Sequence, residues 1–320
     1  MGKTINTILN LTDKFTPKLS AAGKQTLIFK QQLKNCNSAA DGIDRGLSKL
    51  EKTTVAVGTA GALAMGAFAT SVVNTYKDFQ QSMSNVAGIL SVDATLDTCK
   101  KLESAAREAG KSTTKTAQES ADALSYMALA GWSVEDSMAG LMPILRASEA
   151  TGADLATTSD LVTDSMSALG LQTSQLNNYL DVCARTQNKS NTTLTQMQEA
   201  YIGCGATFKN FNTPLQESGA LLGILANRGI KGSEAGVKLQ STLVNLTKQS
   251  GESAKAMAAI GVSAYDSEGK FKGITNVLKE VQEKTKNLTE EERNNYLTMI
   301  AGKTQLTTLN ALMAADEVII

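Results

Sequence analysis

A few stretches of this chain carry residues whose types and spacing could do chemistry, and each lacks a part that the chemistry needs. Ser112-Thr113-Thr114-Lys115 has the S-x-x-K spacing in which a lysine activates a serine, but the companion motifs of that mechanism are missing. Cys204, within Gly203-Cys204-Gly205, would need a base to become a nucleophile, and the 320 residues contain no His. Gly2-Lys3-Thr4 and Gly302-Lys303-Thr304 end like phosphate loops. Such a loop also needs a Gly with four residues between it and the Gly-Lys pair, and Leu297 stands there instead. Gly203 to Phe208 fails as a dinucleotide fingerprint, since Phe208 replaces the last Gly. Glu290-Glu291 reads as a solvated helix start. The lack of His also removes the commonest metal ligand, and Cys36, Cys99, Cys183 and Cys204 form no C-x-x-C pair. No catalytic, cofactor-binding or metal site is expected, the thiols are expected to be free, and the chain is not read as an enzyme.

The elements that would have to position such groups are helices. Only Pro17, Pro143 and Pro214 interrupt a sequence rich in Ala, and strand-like alternation is nearly absent. Helices are predicted over 77–90, 95–110, 116–130, 134–151, 154–169, 173–187, 193–207, 214–227, 231–247, 253–260, 274–286 and 289–299. Ser133, Thr213-Pro214 and the capping box opened by Thr289 mark starts, and Gly110, Gly131, Gly152, Gly170 and Gly229 mark ends. One exception is 262–273, where an Asp266–Gly269 turn between short mixed runs predicts a small β-hairpin. A weak internal repeat is also legible. The order of polar loop, helix, break and Leu141-Ile144-Leu145 that starts at Lys111-Ser112 returns from Lys189-Ser190, an offset of about 78–80 residues that exceeds common solenoid units.

Upstream of this core the chemistry changes. Formal net charge is zero overall, yet the first fifty residues carry Lys3, Lys14, Lys18, Lys24, Lys30, Lys34, Arg45 and Lys49 against Asp13, Asp41 and Asp44. Without interleaved aromatics this arm is not a sequence-specific nucleic-acid binder. Its first ten residues lack the apolar run of a secretory signal, which implies synthesis in a cytoplasm. From 53 to 73 no charge occurs. This stretch is long enough to span a bilayer, but is mostly Ala, Gly and Thr. Gly58, Ala62 and Gly66 recur every four residues, a ridge that lets two helix backbones approach closely. A transmembrane helix and a helix packed against copies of itself both fit. The fold class is therefore all-α: a basic helical or coiled-coil arm (1–52), a hydrophobic Gly/Ala-rich helix (53–75), a multi-helix core (76–315), and the start of a further region (316–320).

The core resembles that of phage tail tape-measure proteins. The resemblance is carried by Lys77-Asp78-Phe79-Gln80 with Val86-Ala87-Gly88, by the phrases 108–112 and 121–133, and by Arg146-Ala147-Ser148-Glu149-Ala150. Leu169-Gly170-Leu171, the phrase 222–236, Ile260-Gly261-Val262 and Met299-Ile300-Ala301-Gly302 complete it. It implies a structural protein of a phage tail or of a tail-like bacteriocin. Such a protein sets tail length as a ruler in the lumen of the tail tube and leaves at DNA ejection or membrane puncture. The implied partners are the tail tube protein, baseplate or tail-tip proteins, tail assembly chaperones, further copies of the chain and the host membrane. Family members are usually longer, so a longer ruler is expected. The alternative function from another class is a membrane-inserting pore built on 53–73.

Overall fold

A computed structural model describes residues 60–91 and 97–314, with side chains from residue 74 onward. The chain divides into two compact units, 1–101 and 102–320. The described residues form thirteen α-helices and no strand, as the all-α reading requires.

In the first unit, α1 runs from Ala60 to Ile89. It joins two predicted helices without a break, because nothing between Val73 and Lys77 stops a helix: no Pro, no Gly and no cap. Phe79, Met83, Val86 and Ala87 form its buried stripe at helical spacing. Ser91 closes it in the left-handed region, at φ 54°. Among the described residues no helix is long and apolar enough to cross a membrane. The transmembrane reading of 53–73 therefore fails over the part that is described: Ala and Gly supply too little apolar surface.

α2 (Asp97–Ser112) crosses the boundary between the units and carries a stripe of Cys99, Leu102, Ala106 and Ala109. It does not stop at Gly110 as predicted. Gly110 is there because a side chain would collide with the backbone of Ala117, 2.6 Å from where its Cβ would lie.

The second unit is a stack of helix pairs. Its first layer is α3 (Ala117–Leu129), α5 (Leu155–Leu169), α7 (Leu194–Asn210) and α9 (Gly232–Thr247). The second layer is α4 (Val134–Thr151), α6 (Leu176–Lys189, entered through the 3-10 turn Thr173–Gln175) and α8 (Leu215–Asn227). Each helix packs on the next of its own layer, α3 on α5, α5 on α7 and α7 on α9, then α4 on α6 and α6 on α8. The helix caps of the first layer, Thr116, Asp154, Thr193 and Lys231, lie 38, 39 and 38 residues apart. The unit of repetition is thus half of the offset read from the sequence, and at this length it falls within the range of solenoid repeats.

Burial follows the same period. Counted from the cap, the fifth residue is Ala121, Ser159, Gln198 and Gly236. The eighth is Leu124, Val162, Tyr201 and Leu239, and the eleventh is Met127, Ser165, Cys204 and Thr242. All are buried. Spaced three apart, these residues lie along one side of each helix, a buried stripe repeated four times. Side chains cap the first three helices. Thr116 accepts from the N–H of Glu119, Asp154 from that of Thr157, and Thr193 from that of Gln196, while Lys231 offers no such acceptor.

Four further helices close the array: α10 (Gly251–Ala259), α11 (Ile274–Thr285), α12 (Glu290–Ala301) and α13 (Leu306–Met313). The expected hairpin between α10 and α11 shrinks to a turn with one antiparallel bridge, Tyr265 to Phe271. Asp266 Oδ1 accepts the N–H groups of Glu268 and Lys270 at 3.0 and 2.8 Å, which uses the backbone donors that a longer ladder would need. Phe271 stacks on Phe211 at a ring distance of 4.7 Å and holds the turn against the end of α7.

Candidate functional site: the seams between stacked helices

The residues whose types could do chemistry hold structure instead. Burial pushes the Cys204 thiol well up, and its Sγ donates to the carbonyl of Ala200 one turn earlier at 3.1 Å. Burial pushes the Cys183 thiol up to about 12. Both stay protonated and unreactive at neutral pH. Ser112 donates to the carbonyl of Glu108 at 2.8 Å, and so finishes α2 rather than facing Lys115. Gly302 turns the chain between α12 and α13 at φ 81°.

The glycines flanking Cys204 have a positional role that the failed fingerprint conceals. A Cβ on Gly205 would lie 2.9 Å from the carbonyl carbon of Ala168 in α5. A Cβ on Gly203 would lie 3.2 Å from the Cα of Gly236 in α9, and one on Gly236 would overlap the carbonyl oxygen of Ala200. So α7 touches α5 with one side and α9 with the other, backbone against backbone. Only glycine permits this approach. The contacts also fix direction. Gly170 lies under Lys209 and Gly232 lies beside Glu199, so later residues of each helix meet later residues of the next. The first-layer helices are parallel, and each second-layer helix carries the chain back.

Between the layers, hydroxyl pairs do the joining. Tyr179 and Ser165 share a hydrogen bond of 2.6 Å, and Tyr201 and Ser218 one of 3.0 Å. Tyr179 and Ser218 hold matching positions, 39 residues apart, and Gly140 stands 39 residues before Tyr179. The tyrosine is on the second-layer helix in one repeat and on the first-layer helix in the next, so large and small groups alternate across the layer boundary. At Gly140 the ring of Trp132 fills the space instead. Burial drives both tyrosine hydroxyls far above their usual range, so they remain neutral donors. Gln198 is the misfit. It is fully buried at a position that holds Ala, Ser or Gly in the other repeats, and neither amide atom has a protein partner.

Half-buried carboxylates link the loops. Asp136 accepts from the hydroxyl of Thr173, with Ser133 donating to it at 2.7 Å, and these bonds lower its pKa. Glu149 accepts from the N–H of Thr114, which lowers its pKa in the same way.

Of the predicted self-association ridge, Gly58 lies outside the described residues. Ala62 and Gly66 lie one turn apart on α1 and share a face. The α7 seam uses the same steric device, and sequence reading missed it because Gly203-Cys204-Gly205 was weighed as a chemical motif. The signal that could have found it is the return of small residues at matching positions of the repeat.

Comparison with known proteins places this array. Residues 103–302 match the family of phage-related minor tail proteins, which spans the stack from α2 to the end of α12. The tape measure protein of Pneumococcus phage Dp-1 is 29% identical over 308 residues, 96% of this chain and 26% of that protein. The probable tape measure protein of Escherichia phage P2 is 27% identical over 241 residues, 74% of this chain and 29% of that protein. The chain thus spans between a quarter and a third of the length of these relatives. No solved structure matches it. With well over half of its residues covered by one family, the chain belongs to the phage-related minor tail proteins, among the tape-measure proteins of phage tails.

Proposed function

We propose that this protein is a structural component of a phage tail, or of a tail-like particle, and that it acts as a ruler. Tube subunits add around it until they reach its end, and it leaves the lumen when DNA is ejected. The observation that carries this reading is the kinship with a tape measure protein over 96% of the chain. The architecture is consistent with it. A stack in which each repeat touches only its neighbours grows in length without needing a larger core. The buried thiols and the lack of His fit a chain that works by occupying space rather than by catalysis. The expected partners are the tube protein, the baseplate or tail-tip proteins, the assembly chaperones and further copies of the chain.

The test is removal of one repeat, residues 154–192, in frame from the gene in its phage, with tail lengths measured by electron microscopy. If the region is drawn out as a single helix, about 60 Å of tail should disappear, at ~1.5 Å per residue. If the stack persists in the tube, the loss should be about 10 Å, one helix–helix spacing. Tails of unchanged length would refute the ruler.

A further inference from the structure

The joints between successive helix pairs are not alike, and the one between the pair α5–α6 and the pair α7–α8 stands apart. Glycines line it in both layers. Gly205 of α7 lies against Ala168 of α5, and Gly219 and Gly223 of α8 lie against Val182 and Thr186 of α6. Contacts made by glycine bury few methylenes, so little apolar surface is uncovered when they part. Gln198 stands in the same joint. It precedes Gly205 by two turns of α7, and Gly236, which holds its place in α9, meets the preceding helix at Ala200, so Gln198 faces α5. A buried amide with no protein partner gives up its hydration without return, and a water drawn in to satisfy it would be immobilised.

The polar ties divide the stack at the same place. Ahead of the joint, the hydroxyl of Thr173 ties the entry of α6 to Asp136 of α4. Behind it, Glu217 of α8 accepts the N–H of Thr275 in α11 at 3.0 Å, and α13 packs on both α8 and α9. Across the joint, Gln187 accepts the N–H of Leu194 at 2.7 Å beside the connecting loop, and Gln216 reaches Asn178 on the exposed side at 3.5 Å. The ring of Tyr179 meets that of Tyr201 at 5.7 Å between centres. We infer that the array parts at this joint into two blocks, α3–α6 and α7–α13, that the loop 190–193 is the hinge, and that the unpaired amide of Gln198 keeps the joint weak. In a stack of equal joints the end repeats, with one neighbour each, open first. Here the middle opens ahead of them. The inference concerns the array itself and stands apart from the ruler.

The chain carries its own reporter. Cys183 is a free, fully buried thiol between Val182 and Thr186, on the face that α6 turns to α8. Parting of the blocks uncovers it, whereas fraying at either end of the array does not. Ser137→Cys adds a second thiol in α4, inside the first block, at a fully buried hydroxyl that has no partner to lose. The full chain with both thiols is treated with iodoacetamide in the absence of denaturant, and mass spectrometry of its peptides gives the labelling rate at each position. Cys183 should label at least tenfold faster than the thiol at 137. Equal rates, or a faster thiol at 137, overturn the inference, because the array then opens as a whole or from its ends. This comparison needs no change at 198. Gln198→Met then replaces the amide with an apolar chain of nearly the same shape. It should slow labelling of Cys183 by about tenfold or more, the worth of an unpaired buried amide, and leave the rate at 137 unchanged. Labelling of Cys183 that stays the same or quickens overturns the role of Gln198, since the amide then strengthens the joint. Equal slowing at both thiols also overturns the inference, because the amide then weighs on the whole fold rather than on one joint.

Discussion

The two sides of α9 are unlike. Towards α7 it presents Gly236, close enough that backbones touch, with Leu239 and Leu243 buried on the same helix. On the other side it presents Glu234, Lys238, Ser241 and Asn245, of which Lys238 and Ser241 hold the positions where α7 presents Ala200 and Gly203 to its successor. Glu234 and Lys238 pair with each other one turn apart, and Asn245 Nδ2 donates to the carbonyl of Ala301 at the end of α12. The first side continues a stack and the second ends it. A further parallel helix cannot seat on a paired charge and a committed amide without stripping water from them. The chain therefore turns to a different packing, in which α10 and α12 cover α9 and α13 reaches α8. Terminal repeats of solenoids need such polar outer faces, and this one is written into four residues of a single helix.

The sharpest way to break the comparison is to spoil the continuing side. Gly236→Leu places a branched side chain against the carbonyl of Ala200, where neither helix has a rotamer to offer. The seam must open, and overpacking of this kind costs about 3 kcal/mol. Urea titration of the full chain should show that loss, whereas leucine at exposed Ser233, one turn earlier on the outer face, should leave the midpoint nearly unchanged. Equal effects would mean that the backbone approach at Gly236 does not hold the stack.

Spoiling the ending side should cost less and act more locally. Asn245→Ala removes the bond to Ala301 and leaves that carbonyl with no donor from α9. Ser253 Oγ, which donates to the backbone carbonyls of Asn245 at 2.6 Å and Ile300 at 3.0 Å, still ties the same corner. The expected loss is about 1 kcal/mol. Hydrogen exchange should quicken in α12 and stay unchanged in α3 to α7, because repeats couple only to their neighbours. Quickening throughout would show one cooperative body, and the two sides of α9 would then not mark a boundary.

How much of this was legible in the sequence depends on where the information sits. Helix starts were plain, since caps are local: Ser133, Thr289 and the Gly152 and Gly170 ends act within four residues of themselves. The repeat was visible only at twice its length. The pairs α3–α4 and α7–α8 both open after a Lys-Ser, while the pair between them opens at Asp154 and enters its second helix through the Thr173–Gln175 turn. Its hydroxyl pair is also inverted, with Tyr179 in the second layer where the next repeat has Tyr201 in the first. A reader matching letters misses this substitution, while packing preserves it. The glycines of the α7 seam were read as chemistry because a close approach has no local signature; it exists only with the partner helix in place. The short α13 was missed altogether: its eight residues follow a turn and carry no side-chain cap.

The smallest effect belongs to the helix starts, where α9 again differs from the others. Of the first-layer caps, only Asp154 is a carboxylate, and hydrogen bonds from the backbone and then the side chain of Thr157 lower its pKa. A lowered pKa means that the folded chain binds the proton less readily than the unfolded chain does. The cap's contribution is thus fully present above the ordinary carboxylate value, about pH 4, and is lost as pH falls through the lowered folded value. Asp154→Asn keeps an oxygen to accept the N–H of Thr157 but removes the titration. At neutral pH the variant should match wild type within about 0.5 kcal/mol, because the cap is exposed and screened. Between pH 5 and pH 2 (about the span of carboxylate titration) wild type should lose more stability than the variant by a similar amount, after the common acid loss is subtracted. Lys231, at the same place before α9, makes no side-chain cap bond, and Lys231→Asn should leave the acid limb of the profile unmoved. If Asp154→Asn and wild type keep parallel profiles down to pH 2, the carboxylate does not cap α5 in solution. The register of the repeat would then rest on the buried stripe and the glycine seams alone.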